Sequence, residues 1–307
     1  LVILGPSSIL KGPEMSSIAN NFPVATFRCR LRRWAVHLPV LITLLVVVAM
    51  LAHGVIVQPA GYHDFADHSQ LGGLPHAADV LSNLGFALVG LWGWVRLAAH
   101  WQQPQFRAGG AGYRVFLIGL MLTAVGSAYY HLAPDDFRLV WDRLPIALAC
   151  AGLIAAVRGE TVARFAVRSE AALLALFAVA SVGWWHFTNG EGAGDLRPYL
   201  LLQLLPIVLI PLWQWLYGSD RRDRLYFGAA LAVYVLAKVA ELRDLAFLAA
   251  NGLLTGHTLK HLLATLAAWL IVRARVRGRH FFDGLFMLPL AVPGMILAAG
   301  YVVLTAR

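Results

Sequence analysis

Charge is scarce in this chain. Only 13% of its 307 residues are Asp, Glu, Lys or Arg, against 59% that are hydrophobic, and the mean hydropathy is +0.68. A soluble domain carries about 25% charged residues, so a water-soluble globular protein is excluded and a multi-spanning membrane protein is indicated. Cysteine is nearly absent as well. Cys29 lies in a basic segment and Cys150 in the middle of an apolar run, and these are the only two. A disulfide framework and a thiolate metal site are therefore both excluded. Acidic residues number 16 against 25 basic ones, a formal net charge of +9. That excess would suit nucleic acid if it were concentrated. It is spread over short segments between apolar runs instead, where membrane orientation accounts for it. No nucleic-acid partner is expected.

The apolar runs themselves set the fold class. A helical span needs about 20 apolar residues. The sequence offers about nine such stretches, near 35–57, 78–99, 114–133, 138–157, 170–188, 199–217, 225–248, 257–273 and 284–304. The expectation is an all-α integral membrane protein of about nine transmembrane helices, occupying residues 34–307. Residues 1–33 hold no run of span length and no convincing cleavage site for a signal peptide. They are expected to be a disordered basic tail, with Met15 a candidate start.

Arginines divide the intervening segments into two kinds. Arg28, Arg30, Arg32 and Arg33 precede the first run, and Arg107 and Arg114 follow the second. Arg158, Arg164 and Arg168 follow the fourth, Arg221, Arg222 and Arg224 the sixth, and Arg273, Arg275, Arg277 and Arg279 the eighth. No Lys or Arg lies between Gln58 and Ala77, or between Ala249 and Thr258. Cations stay on the cytoplasmic side of short loops, so the N-terminus is expected inside and, with nine spans, the C-terminus outside.

This orientation collects the unusual polar residues on the outer side. "GSAYYHLAPDD" puts Ser127 and His131 at the outer end of the third run, and "FRLVWDRLPIAL" puts Asp142 about one turn into the fourth. Glu241 and Asp244 close the seventh, His257 and His261 open the eighth in "GHTLKH", and Asp79 and Ser82 begin the second. Ionisable side chains within a bilayer are costly and usually mark function. Their agreement in depth argues for one shared site.

Residues four apart share a helix face, about 6 Å from each other. His257 and His261 can therefore grip one metal ion, and Ser127 stands one turn from His131. Three imidazoles with an open fourth position form a catalytic zinc arrangement, and the metal lowers the pKa of its water to about 7. Asp142 is the candidate general base. Each residue also has a plainer reading. The histidine pair can decorate an interface, Asp142 can pair with Arg143 or Arg138, and Ser127 can simply permit close helix packing.

His53, His63, His68, His76 and His186 lack a helical partner at ligand spacing and are expected in loops or at interfaces. Asp64, Asp67 and Asp79 offer either an oxygen-rich site for a hard cation such as Ca2+ or an acidic solvated loop. Lys260 is rotated about 100° from His261 and is expected to reach headgroups or to neutralise Glu241 or Asp244. Trp92, Trp94, Trp184, Trp185, Trp213 and Trp215 suggest interfacial belts.

Taken in order, "SAYYH", "WDRLP" and "GHTLKH" resemble the alkaline ceramidase family, part of a superfamily of seven-span membrane proteins that includes the adiponectin receptors. Ser127 and His131 match its first pair, Asp142 its early-helix aspartate, and His257 and His261 its last pair; Ser82 and Asn83 look like the start of its first helix. The likeness covers about residues 60–273. It implies that His131, His257 and His261 hold zinc, that Asp142 and Ser127 act on the water and the oxyanion, and that a ceramide or other N-acyl lipid is cleaved to a fatty acid and an amine. The extra first and last runs depart from the family core, and its calcium-binding acidic cluster does not map position by position. A receptor or sensor with a non-catalytic zinc is the competing reading, ahead of a haem protein and a transporter.

Overall fold

The computed structural model describes residues 35–103, 108–162 and 167–276. The tail at 1–33, Cys29 and the ninth expected run at 284–304 lie outside the described residues. The chain runs through α1 (Leu38–His53), a two-residue hairpin of β1 (Gln70–Leu71) and β2 (Leu74–Pro75), then α2 (Ala77–Ser82), α3 (Leu84–Ala98), α4 (Gly110–Leu132) and α5 (Asp136–Thr161). It continues with α6 (Val167–Gly190), α7 (Arg197–Leu216), α8 (Arg221–Leu242), α9 (Asp244–Asn251) and α10 (Gly256–Arg275).

Among the described residues, six helices are long and apolar enough to cross a membrane: the α2–α3 unit, then α4, α5, α6, α7 and α8. This is a multi-pass membrane protein. α1 is shorter, at 16 residues. α10 has the length, at 20 residues, but His257, Lys260, His261, Arg273 and Arg275 dilute its apolar character. The seventh expected run, 225–248, is interrupted. α8 ends at Leu242, Arg243 leaves helical geometry, and α9 starts afresh at Asp244. The reason lies in the Asp244 carboxylate, which accepts from the backbone N–H of His257 at 2.7 Å and of Ala66 at 2.9 Å. A side chain committed to two neighbouring segments cannot also face lipid on a straight helix.

α4 and α5 form the central hairpin, joined by three residues. Gly112, Gly119 and Gly126 recur every seven positions along α4 and face the α5 backbone. A Cβ on Gly119 would stand 2.7 Å from the Ala149 nitrogen, and one on Gly126 would overlap the Trp141 carbonyl. Small residues at such spacing let helices approach closely where water offers no hydrophobic drive. The short turn brings the end of α4, with Ser127 and His131, beside the start of α5, with Asp142. Asp135 caps α5 by accepting from the Arg138 N–H at 2.7 Å.

α10 packs between α8 and the α2–α3 unit. Gly256 abuts the Ala240 carbonyl, so the first turn of α10 is seated against the last turn of α8. At the opposite end of the bundle Arg275 pairs with Glu160 at 3.0 Å and Asp223 at 2.7 Å, and donates to the Tyr113 hydroxyl at 2.6 Å.

Leu41, Leu44, Leu45 and Val48 of α1, Leu173 and Leu176 of α6, and Val235 and Leu236 of α8 are exposed, as the lipid-facing surface of a membrane bundle requires. The tryptophans do not all form a belt. Trp184 and Trp215 are exposed, but Trp92, Trp185 and Trp213 are buried in the core. Trp92 stacks on Trp269, and Trp185 covers the guanidinium of Arg143 at 4.0 Å. Packing partners on neighbouring helices took these rings away from the interface.

Candidate metal centre

The four segments that carry His131, Asp142, Asp79 and the α10 histidines meet at one end of the bundle. α10 starts cleanly there because Thr255 caps it, its hydroxyl accepting from the Thr258 N–H at 3.0 Å. His257 and His261 follow one turn apart on the face turned to α4. His131, His257 and His261 are 1%, 6% and 3% exposed, and one ring nitrogen from each lies within 4.8 Å of the other two. Among the described residues this is the one group of three or more potential ligands close enough to share an ion. Asp64, Asp67 and Asp79 do not form such a group.

The donor set fits a metal. His131 Nε2 and His257 Nε2 stand 3.2 Å apart, and two nitrogens bound at about 2.1 Å to a tetrahedral ion are about 3.4 Å apart. Three imidazoles converge here in a buried interior. A cation is the natural counterpart for their lone pairs, and the geometry does not specify which metal.

Supporting contacts fix the rings. The Ser82 hydroxyl donates to the Asp79 carbonyl at 2.9 Å and stands 2.8 Å from His261 Nδ1. Ser82 therefore accepts from Nδ1–H, which leaves the Nε2 lone pair of His261 free for a metal. Asp79 is fully buried. Its Oδ1 accepts from the Thr258 hydroxyl at 2.5 Å, and its Oδ2 faces His131 Nδ1 at 3.9 Å. Carboxylates behind ligand histidines set ring orientation and basicity. Asp79, Ser82 and Thr258 thus support the ligands without belonging to them.

Ser127 is buried and lies beside the Asp142 side chain. The arginines that might have claimed Asp142 are engaged elsewhere. Arg138 pairs with Asp135 at 3.6 Å. Arg143 donates to Gln58 at 2.8 Å and lies against the rings of Tyr62, Trp185 and Tyr199. Ser127 therefore sits one turn before His131 in α4, with Asp142 across the hairpin in α5.

Residues 54–69 roof this end. Phe65 packs its ring on His131 at 4.7 Å and His257 at 4.4 Å between centroids. His63, expected in a loop or at an interface, bridges the Tyr130 hydroxyl at 2.9 Å and Asp136 at 3.0 Å. Asp136 also accepts from Gln58 and Asn189. Asp67 spends its carboxylate on the backbone N–H groups of Asp79, at 2.8 Å, and Ser69, at 2.9 Å, which fastens the roof to α2. These roles escaped the sequence because the roof has no periodic pattern.

Lys260 neutralises Glu241, at 3.2 Å, as one of the expected readings had it. Its ammonium also approaches His257 Nε2 at 2.8 Å. Lys260 lies three residues beyond His257, nearly on the same face, so its long chain reaches back into the centre. Comparison with family models, curated proteins and solved structures returns no match for this chain.

Proposed function

We propose that the chain is a metal-dependent membrane hydrolase that cleaves the amide bond of an N-acyl lipid to a fatty acid and an amine. The observation that carries this reading is the convergence of three buried imidazoles at one end of a membrane bundle, with Ser127 beside Asp142 in the adjoining helix hairpin. The resemblance of the same five positions to the alkaline ceramidase motifs supports the choice of an amide lipid.

His131, His257 and His261 hold the metal, zinc by this reading. A bound zinc supplies Lewis acidity, polarising a carbonyl and lowering the pKa of water to about 7. The remaining work belongs to the chain. Asp142 takes a proton from the attacking water as its oxygen bonds to the acyl carbon, and returns it to the nitrogen as the amine leaves. The Ser127 hydroxyl holds the carboxylate of Asp142 in line. Phe65 and the roof exclude bulk water, which strengthens every charge interaction beneath them. By the arginine distribution this end faces away from the cytoplasm, at the depth where the amide of an N-acyl lipid lies.

The test is direct. Detergent-purified protein is analysed for metal and incubated with ceramide and other N-acyl lipids, and fatty acid release is followed. One zinc per chain with chelator-sensitive release is expected. A zinc-loaded protein that releases no fatty acid from any of them would favour the sensor reading, which the covering of two ligand rings by Phe65 also suits.

A further inference from the structure

We infer that α9 and the turn after it form an arm seated in the lipid leaflet at the metal-centre end of the bundle, and that Asp244 ties this seat to the roof over the three histidines. The inference stands on the fold and the histidine cluster and makes no use of the hydrolytic reaction.

The argument starts from length and composition. α8 has 22 residues, about 33 Å at 1.5 Å per residue, which already crosses the roughly 30 Å of hydrocarbon. The chain then breaks at Arg243, makes α9 and returns at Gly256 to lie against Ala240 and Asp244. Residues 244–255 are thus an excursion at the edge of the bilayer, and Asp244 is their only charged residue. α9 has no buried residue. Leu242 and Leu245 are 82% and 70% exposed, and Ala246, Ala249, Ala250 and Leu253 are exposed as well. This surface follows on from the exposed Leu236 and Val239 of α8, which lie on a membrane span. An uncharged apolar surface continuous with a lipid-facing one fits the acyl and headgroup boundary.

The polar groups of the arm agree. Asp244 accepts from the backbone N–H of His257 at 2.7 Å and of Ala66 at 2.9 Å. Asn251 Oδ1 accepts from the N–H groups of Leu253 at 2.8 Å and Leu254 at 2.7 Å, and Thr255 accepts from that of Thr258. Gly252, left-handed at φ 66°, closes α9 by donating to the Leu248 carbonyl at 2.7 Å. The polar side chains are spent on backbone groups, which is what an acyl environment demands and water does not.

Asp244 gives the seat a consequence. One of its oxygens holds Ala66, the residue after Phe65, whose ring covers His131 and His257. The other holds the backbone of His257 itself. The first residue of the arm is therefore a joint between lipid contact, roof and ligand helix. Drawing the arm out of lipid shifts that carboxylate, and Ala66 and His257 lose their shared acceptor together.

The experiment uses the full chain in phosphatidylcholine nanodiscs. A nitroxide is attached at Ala249→Cys, with Cys29→Ser and Cys150→Ala removing the native thiols, and its collisions with oxygen and with a water-soluble nickel chelate are compared. High oxygen and low nickel exposure is expected. Nickel exposure typical of an aqueous loop overturns the seat, and so does shelter from both, the sign of a protein cover. The joint is read by hydrogen exchange at the Ala66 and His257 amides. Leu245→Glu puts a charge in the seat and should speed both at least about tenfold at unchanged metal content. Leu253→Glu repeats the test should the first variant not fold. Exchange at Ala66 unchanged by the charge overturns the joint. Absence of amide hydrolysis would sink the proposed reaction and leave these readouts as they are.

Discussion

Asp79 Oδ2 stands 3.9 Å from His131 Nδ1, and neither buried atom has a hydrogen-bond partner. Loading the front of the ring with a metal raises the acidity of Nδ1–H and draws this contact tighter. Asp79→Asn is therefore expected to keep the fold and to weaken metal affinity about 10- to 100-fold, read by competition with a chelator of known affinity. Unchanged affinity would show that Asp79 serves only Thr258.

Metal retention and hydrolysis should separate cleanly between two variants. His261→Ala removes one of three ligands and is expected to lose the ion on gel filtration. Asp142→Asn removes no ligand, keeps the metal and loses at least about 100-fold in amide hydrolysis. Full turnover in the Asp142 variant would refute its role as the base.

Gly126 lies one residue before Ser127 and against the carbonyl of Trp141, one residue before Asp142. Gly126→Ala forces backbone against side chain, at a cost of about 1–3 kcal/mol. A lower melting temperature in detergent is expected, together with reduced hydrolysis at full metal occupancy, because the helices parting here separate Ser127 from Asp142. Gly183 has nothing within 4 Å of its Cβ position, so Gly183→Ala serves as the silent control.

Acid sensitivity should arise at the α6–α7 connection. Burial pushes the Asp195 carboxyl up, but hydrogen bonds from Arg197 and Trp184 outweigh it and hold the group down at about 2. A carboxylate depressed in the folded state stabilises above its unfolded pKa of about 3.9, and that contribution fades as pH falls toward 2. The melting-temperature gap between the native chain and Asp195→Asn is expected to be constant above about pH 5 and to close between pH 4 and 2. A gap that persists at pH 2 would exclude the linkage.

The site was more legible in the sequence than the fold around it. Ser127 with His131, and His257 with His261, are readable because a four-residue step fixes a shared face on any helix. Asp79 was grouped with Asp64 and Asp67 rather than with His131, which lies 52 positions later with no local rule to join them. Lys260 was measured from His261, although its nearer relation is to His257 three residues back. Phe65 and His63 sit in irregular backbone, where function depends on tertiary contacts alone. Trp185 was placed at the interface because an isolated sequence cannot show that Arg143 waits beneath it. Hydropathy found α8 but not the break at Arg243, which is imposed by what Asp244 binds.

The segment over the histidines is stitched down at Ile56, Gln58, His63, Ala66 and Asp67 to α2, α4, α5, α9 and the start of α7. Each stitch is worth about 1 kcal/mol, so none alone decides whether it lifts. Uncovering the ligand nitrogens from the aqueous side means losing several at once, an all-or-nothing event tied to five elements. The frequency of that event, measured by hydrogen exchange at Ala66, sets how often water can compete for the metal.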